Sequence, residues 1–380
     1  MMVELISAME IGVREGNPKA KVITWDWGWN DRFAEAIIKG LPKSCWPMSV
    51  SEWSLPIVRG DIQSEVGEYS ISSVGPGPRA KDHWRIAREA GLNTVAKVQV
   101  NCTWEMSVIP ALPTMELVAR HAENLSREAV NGVMLSWSLG GYPSANIDLF
   151  QSYKPGNMEE NLQNLAKKQY GDNATPFVRK AWTEFSEGFK EFPYHISTVY
   201  QGPQQMGPSN PFYIRPTGME STMVGIPYDD LKHWKAIYPE KIWAGQMAKV
   251  AAGFEKGCQN LQKGIKHSKG VERKALQVEL DRAMAVTIHF SSVANQARFI
   301  IARDACYASK NPKEKQEYIT DMTRITQDEI KLVKRMIPIL KKDSYIAFES
   351  SNHYYYIPQN LIEKYINLKD VLELLEKIKK

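Results

Sequence analysis

No apolar stretch in this sequence approaches the ~18 uninterrupted residues that would suggest a membrane span. A secretory leader is not evident either. "MMVELISAMEIGVREGNP" has no positive n-region and no small-residue cleavage site, and acidic residues interrupt it. The segment reads instead as an amphipathic helix with Val3, Ile6, Met9 and Val13 on one face, stopped by Gly16-Asn17-Pro18. Cysteine is sparse. Cys45, Cys102, Cys258 and Cys306 lie far apart, without CxxC or Cys/His metal spacing. This argues against a disulfide framework or a zinc module and for free thiols in a reducing, cytoplasmic compartment. Nor does one sign of charge dominate: 48 Lys and Arg against 43 Asp and Glu leave +5 over 380 residues. No dense basic run with interleaved aromatics marks a nucleic-acid partner. Fingerprints of other chemistries are missing too. "VGPGP" is a rigid loop rather than a Gly-rich phosphate cradle, no G-x-S-x-G elbow occurs, and no His/Glu metal set sits on a helix. The expectation is therefore no cofactor and no metal.

What is present alternates. "KVITWDW" reads as a strand and "RFAEAIIKGL" as a short helix, followed by a second strand candidate in "SCWPMSVSEW". A long connection, "SLPIVRGDIQSEVGEYSISSVGPGP", predicts a hairpin or bulging loop. Then come a helix in "RAKDHWRIAREAG", closed by Gly91, a strand in "NTVAKVQVN", a helix in "TMELVARHAENLSREAV" and a strand in "NGVMLSWSLGG". Strands this apolar, alternating with helices, predict an α/β fold with a parallel sheet over 22–26, 46–51, 94–101 and 132–138. From about residue 157 helical patterns dominate: 157–170, 174–190, 240–267, 271–308, 312–342 and 358–378. Between them lies an arm rich in Pro, Gly and Met at 201–230, long enough to be functional or to pack between domains. The expected division is residues 1–150 and 151–380.

The first part also holds all but three of the eleven tryptophans; only Trp182, Trp234 and Trp243 fall in the second. Most of the early ones sit at or just past a strand's C-terminal end, the edge where βα loops converge on a site in parallel sheets. Indole offers a broad face to the C–H side of a pyranose and an N–H for a hydroxyl. Any single strand tryptophan is more often core than platform, but the clustering points to a carbohydrate site built from Trp25, Trp27, Trp53, Trp104 and Trp137. Carboxylates occupy the same edge: Asp26, Glu52 and Glu105. Glycoside hydrolysis usually uses two such groups, one to protonate the leaving oxygen and one to attack or to activate water, and apolar neighbours raise the pKa of the acid. Each carboxylate can equally be a solvated or hydroxyl-binding group. Asn101 is a candidate hydroxyl ligand, while His83 and His121, on helices, read as surface or helix-packing residues. The paired glycines of "SLGGYPS" permit close backbone approach to a ligand.

Those residues carry a resemblance. "VITWDWGW", "MSVSEWSLP", "GEYSISSVGPGPRA", "KVQVNCTWE" and "GVMLSWSLGGYPS" are similar to the later strands of a glycoside-hydrolase TIM barrel, nearest to the β-N-acetylhexosaminidase-like families (glycoside hydrolase family 20-like). "GMESTMVGIPYDDLKHW" and "YIAFESSNHYYYIPQNLIEK" resemble the helical C-terminal region of the same group. The resemblance implies a partial (β/α)8 barrel of about four β/α units, taken as strands five to eight, followed by an all-α domain. In that family the acid-bearing pair follows the fourth strand, which has no counterpart among these units. Glu105, past the seventh strand, stands where one large barrel clan keeps its nucleophile.

Three readings follow. The chain is a glycoside hydrolase, or a portion of one, with Glu105, Asp26 and Glu52 as its catalytic candidates. Alternatively it is a non-catalytic carbohydrate-binding protein, or one part of a split enzyme. The expected partners are a glycoside or oligosaccharide, and a second copy or another chain that completes the barrel.

Overall fold

The structure is a computed structural model that describes residues 1–137, 140–349 and 353–379. Helix α1 (Met2–Gly16) precedes strand β1 (Val22–Trp25), helix α2 (Asp31–Gly40) and strand β2 (Cys45–Val50). Asn30 caps α2, its side chain accepting from the Arg32 N–H at 3.0 Å. Strands β3 (Pro56–Arg59) and β4 (Ile62–Glu65) form the hairpin expected in the long connection. Its turn residues Gly60 and Asp61 both have positive φ, the geometry that matches strand twist in two-residue hairpin loops. Helix α3 (Pro78–Glu89), strand β5 (Val95–Val98), helix α4 (Met115–Ser126) and strand β6 (Gly132–Leu135) complete the alternating part.

β1, β2, β5 and β6 form one sheet in that order, and every pairing is parallel. The parallel four-stranded sheet expected from the alternation is therefore present, although Ser138, the last residue of the anticipated fourth strand, lies outside the described residues. The register pairs Trp25 with Met48 and sets Val50, Lys97 and Met134 side by side, so these residues share one face. The opposite face is covered by helices: Ile38 and Leu41 of the α2 region, with Ile86, Ala87 and Leu92 of the α3 region, bury Cys45. The barrel implied by the resemblance is reduced here to this open four-stranded parallel sheet.

Helix α5 (Ala145–Ser152) leads into the helical part: α6 (Met158–Tyr170), α7 (Thr175–Phe189), α8 (Ile196–Gln201), α9 (Leu231–Lys235), α10 (Glu240–Lys266), α11 (Gly270–Ala308), α12 (Pro312–Lys342) and α13 (Pro358–Lys379). A short antiparallel pair, β7 (Phe348–Glu349) and β8 (His353–Tyr354), sits before the last helix. After β6 the described elements are mostly helices, and the hydrophobic core does not divide near residue 150. One contiguous cluster runs from Ile57 and Val98 through Trp182 and Phe254 to Leu375. Helix α4 packs against α5, α6 and α7, so the helical part and the alternating part share this core.

Candidate functional site

Past the C-terminal ends of β1 and β5 the chain opens into a cleft of about 420 Å³. Trp25, Trp27, Trp104 and Trp137 line it from the sheet side, with Glu68, Tyr69 and Gln99; Tyr200, Met223 and Val224 close it from the helical part. The expected indoles are thus brought together, except Trp53. The Trp25 ring lies 5.8 Å from Trp27 and 5.4 Å from Trp137, and Trp104 lies 6.0 Å from Tyr200. Trp27 and Trp137 are about half exposed, so aromatic faces remain free at the cleft mouth.

Glu68 is the acid that faces this space. Its two oxygens accept from Trp27 Nε1 at 2.9 Å and from the Tyr200 hydroxyl, which ties the sheet edge to α8. Burial pushes its carboxyl above the ordinary range, and the hydrogen bonds from Tyr200 and Trp27 pull partly against that shift. Three buried polar atoms in the lining have no hydrogen-bond partner among the described residues: Trp25 Nε1, the Tyr69 hydroxyl and Gln99 Oε1. Buried polar groups are ordinarily satisfied, so an unpartnered donor, acceptor and hydroxyl among the cleft-lining residues are notable. Val224 adds backbone strain: a β-branched residue at φ +50°, held by its N–H donating to the Tyr200 carbonyl at 2.6 Å.

The three carboxylates anticipated as catalytic do not line the cleft. Asp26 is buried in an ionic cluster, accepting from Ser49 Oγ at 2.6 Å, Arg79 Nη1 at 3.1 Å and His83 Nδ1 at 2.6 Å. It faces the helices because side chains alternate along the chain leaving β1, so Trp25 takes the cleft side and Asp26 the other. Glu105 is wholly buried. It accepts from Ser70 Oγ (2.8 Å), Ile71 N (2.7 Å), Ser72 N (3.2 Å), Ser72 Oγ (2.5 Å) and Thr103 Oγ1 (2.8 Å). Those donors occupy the lone pairs a nucleophile would need. Because Ser70 to Ser72 directly follow Glu68 and Tyr69, Glu105 anchors the segment that presents the cleft's acid.

Glu52 is also buried and lies 3.4 Å from His121 Nδ1, while His121 Nε2 meets Ser51 Oγ at 2.8 Å. The order hydroxyl, imidazole, carboxyl has the sequence of a nucleophilic triad, yet all three groups are sealed inside the protein. Burial drives the His121 pKa down to about 3 and that of Glu52 well up. Desolvation thus favours the neutral form of both groups.

Trp53 stacks under the Arg79 guanidinium at 4.6 Å, away from the cleft. Asn101 is likewise engaged within the protein. Its amide donates to the carbonyls of Gly140 (2.5 Å) and Tyr142 (2.8 Å), and its oxygen accepts from Ser144 Oγ at 2.5 Å. The close approach that the paired glycines permit is used by the protein itself: a Cβ on Gly140, at φ +69°, would stand 2.7 Å from Asn101 Cβ.

Glu68, Tyr69, Gln99, Tyr200, Met223 and Val224 were not anticipated. Gln99 had a usable signal, since it alternates in register with Lys97 on the face that carries Trp25. Glu68 and Tyr69 sit in an irregular connection without periodicity, and the arm residues had only the arm's length to mark them. No set of three or more His, Cys, Asp or Glu positioned to hold a metal occurs among the described residues, and no described helix is long and apolar enough to cross a membrane.

No family model and no curated protein matches this sequence. Among solved structures, a GH138 enzyme targeting pectin rhamnogalacturonan II matches 98% of this chain with a TM-score of 0.62 at 10% sequence identity. The chain spans 47% of that protein's length. At this identity the match defines a fold, and the fold is glycoside-hydrolase-like; it does not single out the hexosaminidase-like group.

Proposed function

We propose that this chain is a carbohydrate-active protein that holds a glycosyl ring in the cleft between the sheet edge and α8, with Trp104 and the Trp25–Trp27–Trp137 cluster as stacking surfaces. The observation that carries this reading is the coincidence, in one cleft, of four tryptophans, a tyrosine and an acid whose pKa burial raises, with three unpartnered buried polar atoms in the same lining residues. The glycoside-hydrolase-like fold supports it. Binding is the function the geometry supports best for this chain by itself. Glu68 is the single carboxyl in the cleft lining among the described residues, whereas hydrolysis ordinarily needs a second, placed across the scissile bond. Hydrolysis is the second reading, favoured by the raised Glu68 pKa, which suits a proton donor. In that case the opposing carboxylate comes from a further polypeptide segment, as would the strands that close a barrel of the hexosaminidase-like type.

The test is a titration of the purified chain with a panel of oligosaccharides, followed by calorimetry and by indole fluorescence. Binding should quench the cleft tryptophans. Trp104→Ala should weaken it by roughly 1–3 kcal/mol through lost stacking and burial. Unchanged affinity in Trp104→Ala would move the ligand out of this cleft.

A further inference from the structure

The charge make-up of the cleft bears on which sugars it admits. Among the described residues that line it, Glu68 is the one charged group, and there is no Lys, Arg or His. The cation behind Tyr69 is already committed: Lys97 is 1% exposed, donates its Nζ to the Ser136 carbonyl and lies 5.6 Å from the Tyr69 ring. A uronate ring entering this space would have to strip water from its carboxylate. With no guanidinium or ammonium to receive it, that desolvation is uncompensated. Glu68 adds like-charge repulsion, in surroundings so poor in water that its own ionisation is already disfavoured.

Neutral hydroxyls meet the opposite conditions. Trp25 Nε1, Gln99 Oε1 and the Tyr69 hydroxyl, a donor, an acceptor and a group of either kind, lie buried in cleft-lining residues without a hydrogen-bond partner among the described residues. Trp104 and Tyr200 supply aromatic surface to the C–H face of the ring. Resting on the sugar-site reading above, the geometry points to a cleft that selects uncharged glycosyl rings and rejects uronates, with Glu68 as the residue that sets the discrimination.

Calorimetry on the full chain with neutral oligosaccharides and their uronate counterparts tests this. One pair is tetragalacturonate and its fully methyl-esterified form, which removes the charge at every ring. The neutral member of each binding pair should bind roughly tenfold tighter or more, the size of a modest like-charge and desolvation penalty. The gap should widen as pH rises and Glu68 ionises. Glu68→Gln keeps the side chain's shape and should narrow the ratio of the two affinities and flatten its pH dependence. A uronate that binds as well as or better than its neutral partner overturns the inference, and the wild-type comparison alone decides this. A gap that survives in folded Glu68→Gln removes Glu68 from the role assigned to it. If no saccharide binds, neutral or acidic, the sugar-site reading itself fails, an outcome distinct from loss of selectivity.

Discussion

Glu105, just past the C-terminal end of β5, is held on all sides by the protein's own donors. Its five donors belong to Ser70, Ile71, Ser72 and Thr103, and the first three set the path of the chain just after Glu68 and Tyr69. Glu105→Gln replaces an acceptor-only group with an amide that carries two N–H groups into a nest of donors. We expect a loss of about 2–4 kcal/mol, read from urea unfolding, because a buried charged hydrogen-bond network is disrupted. Sugar affinity should fall with it as the Glu68 segment loosens. A melting temperature matching wild type would refute the anchoring role. Glu52 behaves differently. Burial raises its folded pKa well above the unfolded value, so the folded state holds a proton that the unfolded state releases. Its contribution to stability is complete below the unfolded pKa and is lost as pH rises toward the folded value, by up to about 1.4 kcal/mol per pH unit. Glu52→Gln, neutral at every pH, should flatten the fall of stability from mildly acidic to alkaline conditions. An unchanged slope would assign that pH dependence to another group.

Among the elements, α7 and α10 cross where glycine faces glycine. A Cβ built on Gly188 would lie 2.7 Å from Gly253 Cα and 3.3 Å from the Val250 carbonyl. The contact is backbone against backbone, so no side chain can move aside to admit a methyl group. Gly253→Ala should therefore destabilise the chain by about 1–3 kcal/mol despite alanine's better helix propensity, as overpacking outweighs the propensity gain. Equilibrium unfolding would show it, and a stabilised variant would mean that the helices separate easily. The same packing matters for the site, because α8 and the arm that follow α7 carry Tyr200, Met223 and Val224 to the cleft.

For the whole molecule the open sheet is decisive. β1 and β6 each pair on one side only among the described residues. On the sheet face opposite the helices, Ile23 is 49% and Met134 is 44% exposed. Parallel sheets are normally covered on both faces, and unpaired edges recruit other strands. We expect the purified chain to associate, with itself or with a polypeptide that supplies further parallel strands. Light scattering coupled to size exclusion is the measurement. A monodisperse 43.2 kDa monomer with one sharp unfolding transition would show that the exposed face needs no cover.

Much of the fold could be read from local pattern. Apolar runs of strand length between amphipathic helices specify parallel strands, and the helices at 240–267, 271–308 and 312–342 are long enough for periodicity to place their ends within a residue or so. The concentration of indoles at strand ends likewise pointed to the sheet edge that bears the cleft. The identity of the acid was not legible. Asp26, Glu52 and Glu105 all follow strands, but which face a side chain takes depends on alternation through the strand end, and which carboxylate finds donors depends on the 70–73 segment folding over it. Glu68 lies in a connection without periodicity, and Tyr200, Met223 and Val224 reach the cleft from far along the chain. The sequence by itself determined the alternation, the helix lengths and the aromatic edge, because these are set by neighbours a few residues apart. Only the tertiary structure decided which acid is buried, which faces the cleft and what closes it, because burial and hydrogen bonding are made by residues that meet only when the chain has folded.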